Sequence, residues 1–368
     1  MQNRKFKVVQ ITDRLNIGGA ERVVVTLSNL LQQNGHSVKV ITTVNPGPLA
    51  DQLHKDILQI NLNRKWKWNP VTMRHLINEV KDYDVIHVHS SYNLRYLYLA
   101  AKLFRLGKTI FFHEHFGDID IDPSVHWNQR LIYPSVIFIG VSRQHVEWAL
   151  QKLGLPKQKV FLLPNTVLRT SPLHQVKEIN MTKQILLVSN FRPTKNIEFA
   201  VELLRRLKND SSQDYHLTII GQVADKPYYK KIKTLTTEND LQQNITILTD
   251  CTDIQPLLHQ FDFALQTSKS ESGPLVLIEY MAQGLPFITY NTGEVVEEIK
   301  NKLPLLVINS FDKDEWLTRI QTLLSLPLDD LSNKLINIYD HYFSGEVYYK
   351  KVIEIYESVL YKEEKFLV

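Results

Sequence analysis

Phe6-Lys-Val-Val-Gln-Ile-Thr12, a turn at Gly18-Gly19, an amphipathic run over 20–34, and Val38-Lys-Val-Ile-Thr-Thr-Val44 decide the fold. The first and last runs are short, apolar and rich in β-branched residues, as buried strands are. Between them Val23, Val24, Leu27, Leu30 and Leu31 recur at helical spacing, and Gly35 stands where a helix can close in a left-handed turn. Strand, helix and strand in this order make a βαβ unit, whose parallel strands require helices over the sheet.

The alternation continues outward from that unit. Helices are expected over 71–80 and 94–105, with strands at 84–89, 109–113 and 136–141. A short strand at 162–167 and a polar, loop-like stretch at 168–180 containing Pro172 interrupt the series. It restarts with strands at 184–189, 216–221, 245–248, 263–266 and 286–290, and helices at 197–208, 228–238 and 275–283. At 368 residues the chain is too long for one ordinary core. The expected fold class is α/β: a Rossmann-like domain over 1–170 and a second over 180–345, facing across a cleft. A C-terminal helix within 346–368 carries Tyr348, Val352, Ile355, Tyr356 and Val359 on one side and is expected to pack back on the first domain. The tail from Lys362 reads as a frayed end.

Composition narrows the functional classes. A net charge of +4 is too small to argue for nucleic acid. One cysteine, Cys251, excludes a disulfide framework or a cysteine-built zinc site within the chain. The basic start lacks the apolar run of a signal peptide, and no stretch approaches the roughly 20 apolar residues of a membrane span. The expectation is a cytoplasmic protein.

The densest chemistry lies in Ser270-Glu271-Ser272-Gly273-Pro274-Leu275-Val276-Leu277-Ile278-Glu279-Tyr280-Met281-Ala282-Gln283-Gly284-Leu285-Pro286. Glu271 precedes a Gly-Pro turn, and Glu279 sits inside an apolar helix, where a carboxylate needs a partner or a ligand. Backbone N–H groups near 272–276 mark a helix N-terminus, a place for a diphosphate. On physics alone a buried helix with an N-terminal carboxylate cap reads the same residues equally well. Two further sets carry polar chemistry. His87-Val-His89 and His113-Glu114-His115 end two strands. His-x-His puts two imidazoles on one strand face, but no convincing further ligands stand late in the chain, and cleft-lining histidines suffice. Arg64-Lys65-Trp66-Lys67-Trp68, with Arg74, His75, Arg95, Lys102, Arg105 and Lys108 nearby, suits either a solvated basic face or anionic lipid headgroups.

The spacing Glu271-x7-Glu279 resembles the signature of retaining glycosyltransferases of family 4, which have the GT-B fold. Other landmarks stand in the family's order: Gly18-Gly19-Ala20-Glu21-Arg22, Pro164-Asn165-Thr166-Val167, Val188-Ser-Asn-Phe-Arg-Pro-Thr-Lys195-Asn196, and Gly284-Leu285-Pro286 followed by Gly293-Glu294. The resemblance implies a nucleotide-sugar donor and a glycan or lipid-linked acceptor, with no nucleic acid, peripheral contact with the inner membrane face, and no metal or other cofactor. It assigns Arg192 and Lys195 to the donor diphosphate, Glu271 to sugar hydroxyls and Glu279 to the ribose. Gly18, Gly19, Ser272, Gly273, Pro274 and Leu275 complete the donor-binding set, and a histidine near the donor sugar is His115, with His113 the alternative. Asp118 is expected to border the acceptor. Two departures stand out: relatives often carry arginine where this chain has Asn190, and often read Glu-Gly-Phe-Gly where it has Glu271-Ser272-Gly273-Pro274. Pro274 removes a backbone donor, which bears on donor identity. The rival readings are a phosphorylase or sugar-nucleotide epimerase of the same fold, and an inactive nucleotide-binding subunit.

Overall fold

The computed structural model describes residues 4–119, 121–170, 181–210 and 213–365. Residues 171–180 of the expected polar stretch, with Pro172, and the last three residues of the tail lie outside the described residues. The chain divides into two units, Met1–Thr166 with Gly345–Val368, and Val167–Ser344.

In the first unit the strands are β1 (Lys7–Thr12), β2 (Ser37–Thr42), β3 (Leu58–Asn61), β4 (Val85–His89), β5 (Ile110–Glu114), β6 (Ile137–Gly140) and β7 (Val160–Leu162). They form one parallel sheet in the order β3-β2-β1-β4-β5-β6-β7. The connecting helices are α1 (Gly19–Gln33), α2 (Pro70–Val80), α3 (Ser91–Leu103), α4 (Trp127–Ile132) and α5 (Arg143–Gln151). Local chemistry starts them: Asn69 accepts from the N–H groups of Val71 and Thr72 ahead of Pro70, and the Ser142 hydroxyl caps α5 at His145.

The second unit repeats the plan with β8 (Lys183–Val188), β9 (Tyr215–Ile220), β10 (Ile245–Leu248), β11 (Phe263–Gln266), β12 (Phe287–Tyr290) and β13 (Val307–Ile308). Its sheet is parallel throughout, in the order β10-β9-β8-β11-β12-β13. Around it lie α6 (Ile197–Asp210), α7 (Lys226–Glu238), α8 (Leu275–Gln283), α9 (Glu294–Lys300), α10 (Lys313–Ser325) and α11 (Leu328–Ile338). The strand order reverses at β1/β4 in one unit and at β8/β11 in the other, and in such sheets ligands sit beyond the carboxyl ends of the strands at that point.

The last helix, α12 (Gly345–Lys365), groups with the first unit. Tyr348, Val352, Ile355, Tyr356 and Val359 are its buried stripe. The Tyr349 hydroxyl lies 2.9 Å from His36 Nε2, the Tyr356 hydroxyl 2.6 Å from His87 Nδ1, and the Tyr356 ring meets Phe111 edge-on.

The differences from the expected elements have local causes. The strand expected over 162–167 is β7, which stops two residues before Pro164, a residue that cannot donate to a ladder. The sequence reading does not find β3, an edge strand with mostly outward-facing residues. Nor does it find the short α4 and α5, whose polar faces dilute the apolar period.

Candidate active site

In the second unit, the loop leaving β8 carries the basic pair. Phe191 is its anchor: the ring is fully buried against Tyr229, its N–H donates to Gln222 O and its carbonyl accepts from Asp225 N–H. Gly221 lets the loop pass, because a Cβ there would lie 1.9 Å from Ser189 O. Asn190, standing where relatives often carry arginine, accepts from the Gln222 N–H through its side chain (3.1 Å). With Phe191 turned in, Arg192 is exposed, and its side chain has no hydrogen bond or ion pair among the described residues. One tight turn later Asn196 is left-handed (φ 52°) and α6 begins.

Lys195 is held differently. Its carbonyl accepts from Thr267 Oγ1 (3.1 Å), and Thr194 O accepts from Lys269 N–H (2.8 Å), stitching the β8 loop to the β11 loop. Its Nζ donates to Glu271 Oε1 at 2.6 Å, with both side chains mostly buried. Gln266 Nε2 donates to the same oxygen (3.3 Å), and Thr289 Oγ1 donates to Gln266 Oε1 (3.2 Å). Glu271 N–H donates to Thr292 Oγ1 (3.0 Å), and Glu294 N–H to Ser272 O (2.9 Å). Gly293 (φ +85°) completes this buttress: a Cβ there would meet Pro274 Cδ at 2.8 Å.

The segment Ser272-Gly273-Pro274 then leads into α8, which starts at Leu275 without a side-chain cap. Its first N–H groups carry the positive end of the helix dipole. Glu279 is buried in the next turn, at 4% exposure. The structure thus brings Lys195, Glu271 and the start of α8 together, with Arg192 at the rim of the same loop. The buttress of Gln266, Thr289, Thr292 and Gly293 was not identified as such from sequence; Gly293 just after an apolar strand was its one visible signal.

In the first unit, Gly18 is extended and α1 starts at Gly19 beyond the end of β1. A Cβ on Gly18 would run into the Glu21 carboxylate at 2.3 Å. At the carboxyl ends of β4 and β5 the histidines cluster: His87 stacks on His89 at 4.7 Å, and His113 lies against His115 at 4.2 Å with the rings tilted by 37°. His89 Nδ1 lies 3.0 Å from His115 Nε2, and His89 Nε2 lies 2.8 Å from Gln10 Oε1. Because the Gln10 oxygen only accepts, His89 carries its proton on Nε2, its Nδ1 accepts from His115, and His115 keeps a bare Nδ1. Burial lowers the pKa of His87 and His115 to about 3 and that of His145 to about 4, and holds His89 and His113 well below the usual histidine range. These imidazoles are neutral at pH 7.

Between the histidines, Glu114 behaves in the opposite sense. Burial raises its pKa to about 7, against the hydrogen bonds it accepts from the N–H groups of His115 and Phe116 and from Tyr133 OH. Asp118 lies half-buried just beyond. The ligand nitrogens of His87, His89 and His113 come within 4.8 Å of one another, a grouping of metal-site size that the sequence reading did not assemble. The rings of His87 and His89 are parallel to within 2°, so their in-plane lone pairs run side by side rather than converging on one point.

The comparisons agree with this architecture. The family model described as Glycosyltransferase Family 4 matches residues 17–167, and the one described as Glycosyl transferases group 1 matches residues 171–341. N-acetyl-alpha-D-glucosaminyl L-malate synthase of Bacillus anthracis is 24% identical over 322 residues, covering 80% of this chain and 81% of that protein. UDP-Gal:alpha-D-GlcNAc-diphosphoundecaprenol alpha-1,3-galactosyltransferase of Escherichia coli is 22% identical over 368 residues, covering 90% and 93%. Among solved structures, a glycosyltransferase from Rickettsia africae superposes with a TM-score of 0.78 at 21% identity, covering 97% of this chain and 99% of that one. HepE of Anabaena in complex with UDP and glucose gives 0.78 at 15% identity, covering 96% and 100%. Two Rossmann-like units, each a parallel sheet with its own switch point, are the GT-B architecture that these solved structures share. The chain belongs to glycosyltransferase family 4.

Proposed function

We propose that the protein transfers a hexose-type sugar from a nucleotide-sugar donor, with retention of configuration, to a cell-surface glycan precursor or lipid-linked acceptor. The observation that carries this reading is the Lys195–Glu271 pair at the switch point of the second sheet, directly ahead of the α8 N-terminus. Sugar transfer from a nucleotide diphosphate needs positive charge where the departing diphosphate gathers negative charge, and Lys195, Arg192 and the start of α8 supply it. Glu271, fixed by Gln266 and Thr292, accepts hydroxyls of the sugar, and Glu279 accepts the vicinal hydroxyls of the ribose. These roles require no metal ion or other cofactor, since Lys195, Arg192 and the helix N-terminus do the work of a bridging divalent ion.

With Glu271 committed to hydroxyls, no obvious carboxylate nucleophile is left. The bond from the anomeric carbon to the phosphate oxygen breaks, the acceptor oxygen bonds to that carbon on the same face, and the acceptor proton passes to the departing phosphate oxygen. His115, neutral and with a bare Nδ1, accepts from a sugar hydroxyl. The protein works at the inner face of the cell membrane in this reading.

A panel of nucleotide sugars, scored by nucleotide release and by NMR of the new glycosidic bond, tests it. Release of nucleotide from one donor with the configuration kept, and without loss on chelation, is the expected result. Inverted product overturns the mechanism, strict dependence on added Mn²⁺ or Mg²⁺ overturns the metal-free site, and no turnover with any donor and acceptor overturns the function.

A further inference from the structure

Gln10 is out of place for its strand. Its neighbours on β1, Val8, Val9 and Ile11, are apolar and fully buried, and Gln10 is buried just as completely, in register with His87 of β4. A buried amide is costly unless both of its ends are paired. Here Nε2 has no partner in hydrogen-bond geometry, and the nearby Tyr356 hydroxyl lies against His87 Nδ1 instead (2.6 Å). The other end makes one contact: Oε1 lies 2.8 Å from His89 Nε2. A valine at this position would remove the orphaned donor and suit the strand better. Departures of this kind from the rule of an element concentrate at functional sites.

The one contact it makes leads to the site. The His89 ring is stacked on His87 at 4.7 Å and on His115 at 5.3 Å, with 2° and 20° between the planes. A stacked ring held at both nitrogens answers a change at one of them by moving its proton, not by rotating. With Gln10 Oε1 as acceptor, the His89 proton is on Nε2, Nδ1 accepts from His115 Nε2–H at 3.0 Å, and the His115 lone pair is left on Nδ1. Without that oxygen, a proton on His89 Nε2 would be a buried donor lacking an acceptor. The pair would then relax to the opposite arrangement, in which His89 Nδ1–H donates to His115 Nε2 and His115 carries its proton on Nδ1. His87, His89 and His113 are buried and His115 is half-buried, so His115 is the ring of this cluster that a ligand can meet.

We infer that Gln10 is a positioning residue: through His89 it fixes the tautomer in which His115 offers a lone pair, rather than an N–H, to a hydroxyl of the bound sugar. Both rings stay neutral in either arrangement, and only the places of their two protons differ. The consequence is selective, because the sugar hydroxyl that meets His115 must donate. The inference rests on the transferase reading above for the word sugar, but the tautomer lock itself does not.

NMR of the full chain with ¹⁵N-labelled histidine rings, at pH 7, reads the tautomer directly, because a bare ring nitrogen and an N–H nitrogen resonate far apart. The His115 signals are identified by their loss in His115→Ala. The expected result is a proton on Nε2 of His115 in the wild type and on Nδ1 in Gln10→Met, which keeps the length of the side chain without its acceptor oxygen. Circular dichroism checks folding, and Gln10→Leu takes the place of a Met variant that fails to fold. With the donor that releases nucleotide in the panel above, Gln10→Met should lower kcat/KM about fivefold in the wild-type background and no further in His115→Ala. A proton on Nδ1 of His115 in the wild type overturns the inference. So does an unchanged His115 tautomer in the folded Gln10 variant, which would leave Gln10 a packing residue. Equal losses of kcat/KM with and without His115 overturn the route through His115. Failure of the nucleotide-sugar panel with the expected tautomers intact removes the transferase reading and leaves the lock.

Discussion

The two units share a strand order but treat polarity in opposite ways. In the second, the central strands are apolar through Ile185, Leu186 and Leu187 on β8 and Phe263, Ala264 and Leu265 on β11, and ionic chemistry begins in the loops beyond. In the first, Gln10 and His87 lie within the central strands, fully buried, and His89 and His113 continue the polar face at their ends. The second unit keeps the Lys195–Glu271 pair and Arg192 in the loops at the rim of its sheet. The first builds a face of neutral imidazoles and rings, which can hydrogen-bond hydroxyls but cannot take up a proton cheaply. One topology therefore supports both an ionic and a neutral site, and the difference lies in which residues occupy the strands nearest the switch point.

The comparison breaks most visibly in acid. His87 and His115 at about 3, and His36 and His145 at about 4, all lie below their unfolded value near 6.5. As pH falls below 6.5 the unfolded chain binds protons that the folded one refuses. The stability present above pH 6.5 is therefore lost toward pH 4 and 3, by about 2 kcal/mol per histidine at pH 5. Hydrogen exchange at pH 7 and 5, corrected for intrinsic rates, should show β1, β4 and β5 losing protection before β8 and β11. Equal loss in both units would end the distinction.

Next in size, Lys195→Ala should lower kcat/KM about 10²-fold, or roughly 3 kcal/mol, because a cation at the leaving group acts mainly in the transition state. His115→Ala should cost about fivefold, as for one neutral hydrogen bond of about 1 kcal/mol. Steady-state kinetics on the two variants compares the units directly, and the reverse ranking would move the ionic work to the first unit.

Glu114→Gln sharpens the comparison from the other side. Its folded pKa near 7 exceeds the ordinary carboxylate value of 4.5, so its stabilising share is present below pH 4.5 and fades as pH rises through 7. The amide should raise stability at pH 8 by up to about 3 kcal/mol relative to wild type and give no gain at pH 4. Urea midpoints at the two pH values check both signs. The smallest effect is expected from Tyr356→Phe, which removes the hydroxyl at His87 Nδ1 and should cost about 1 kcal/mol in the first unit only.

The alternation of strands and helices was readable from residues 6–44 because a buried parallel strand and its covering helix each impose a period on the chain. The pair Glu271 and Glu279 was readable for a similar reason: a carboxylate in an apolar helix asks for a partner. Elements with weaker periods, such as β3 at the sheet edge and the short α5, were not. Neither was the setting of Arg64, since five alternating basic and aromatic residues look the same on a solvated face and over the rings of Tyr92 and Tyr96.

By itself, then, the sequence determined two doubly wound units and the residue types at their loops, because those follow from local periodicity and from glycine, proline and carboxylate placement. Only the tertiary structure decided the partners. Lys195 and Glu271 lie 76 residues apart and meet because β8 and β11 are neighbours in the sheet. His87 and Tyr356, 269 residues apart, meet because α12 returns to the first unit. Strand order and helix docking are set by burying apolar faces over the whole chain, and no local stretch carries that information.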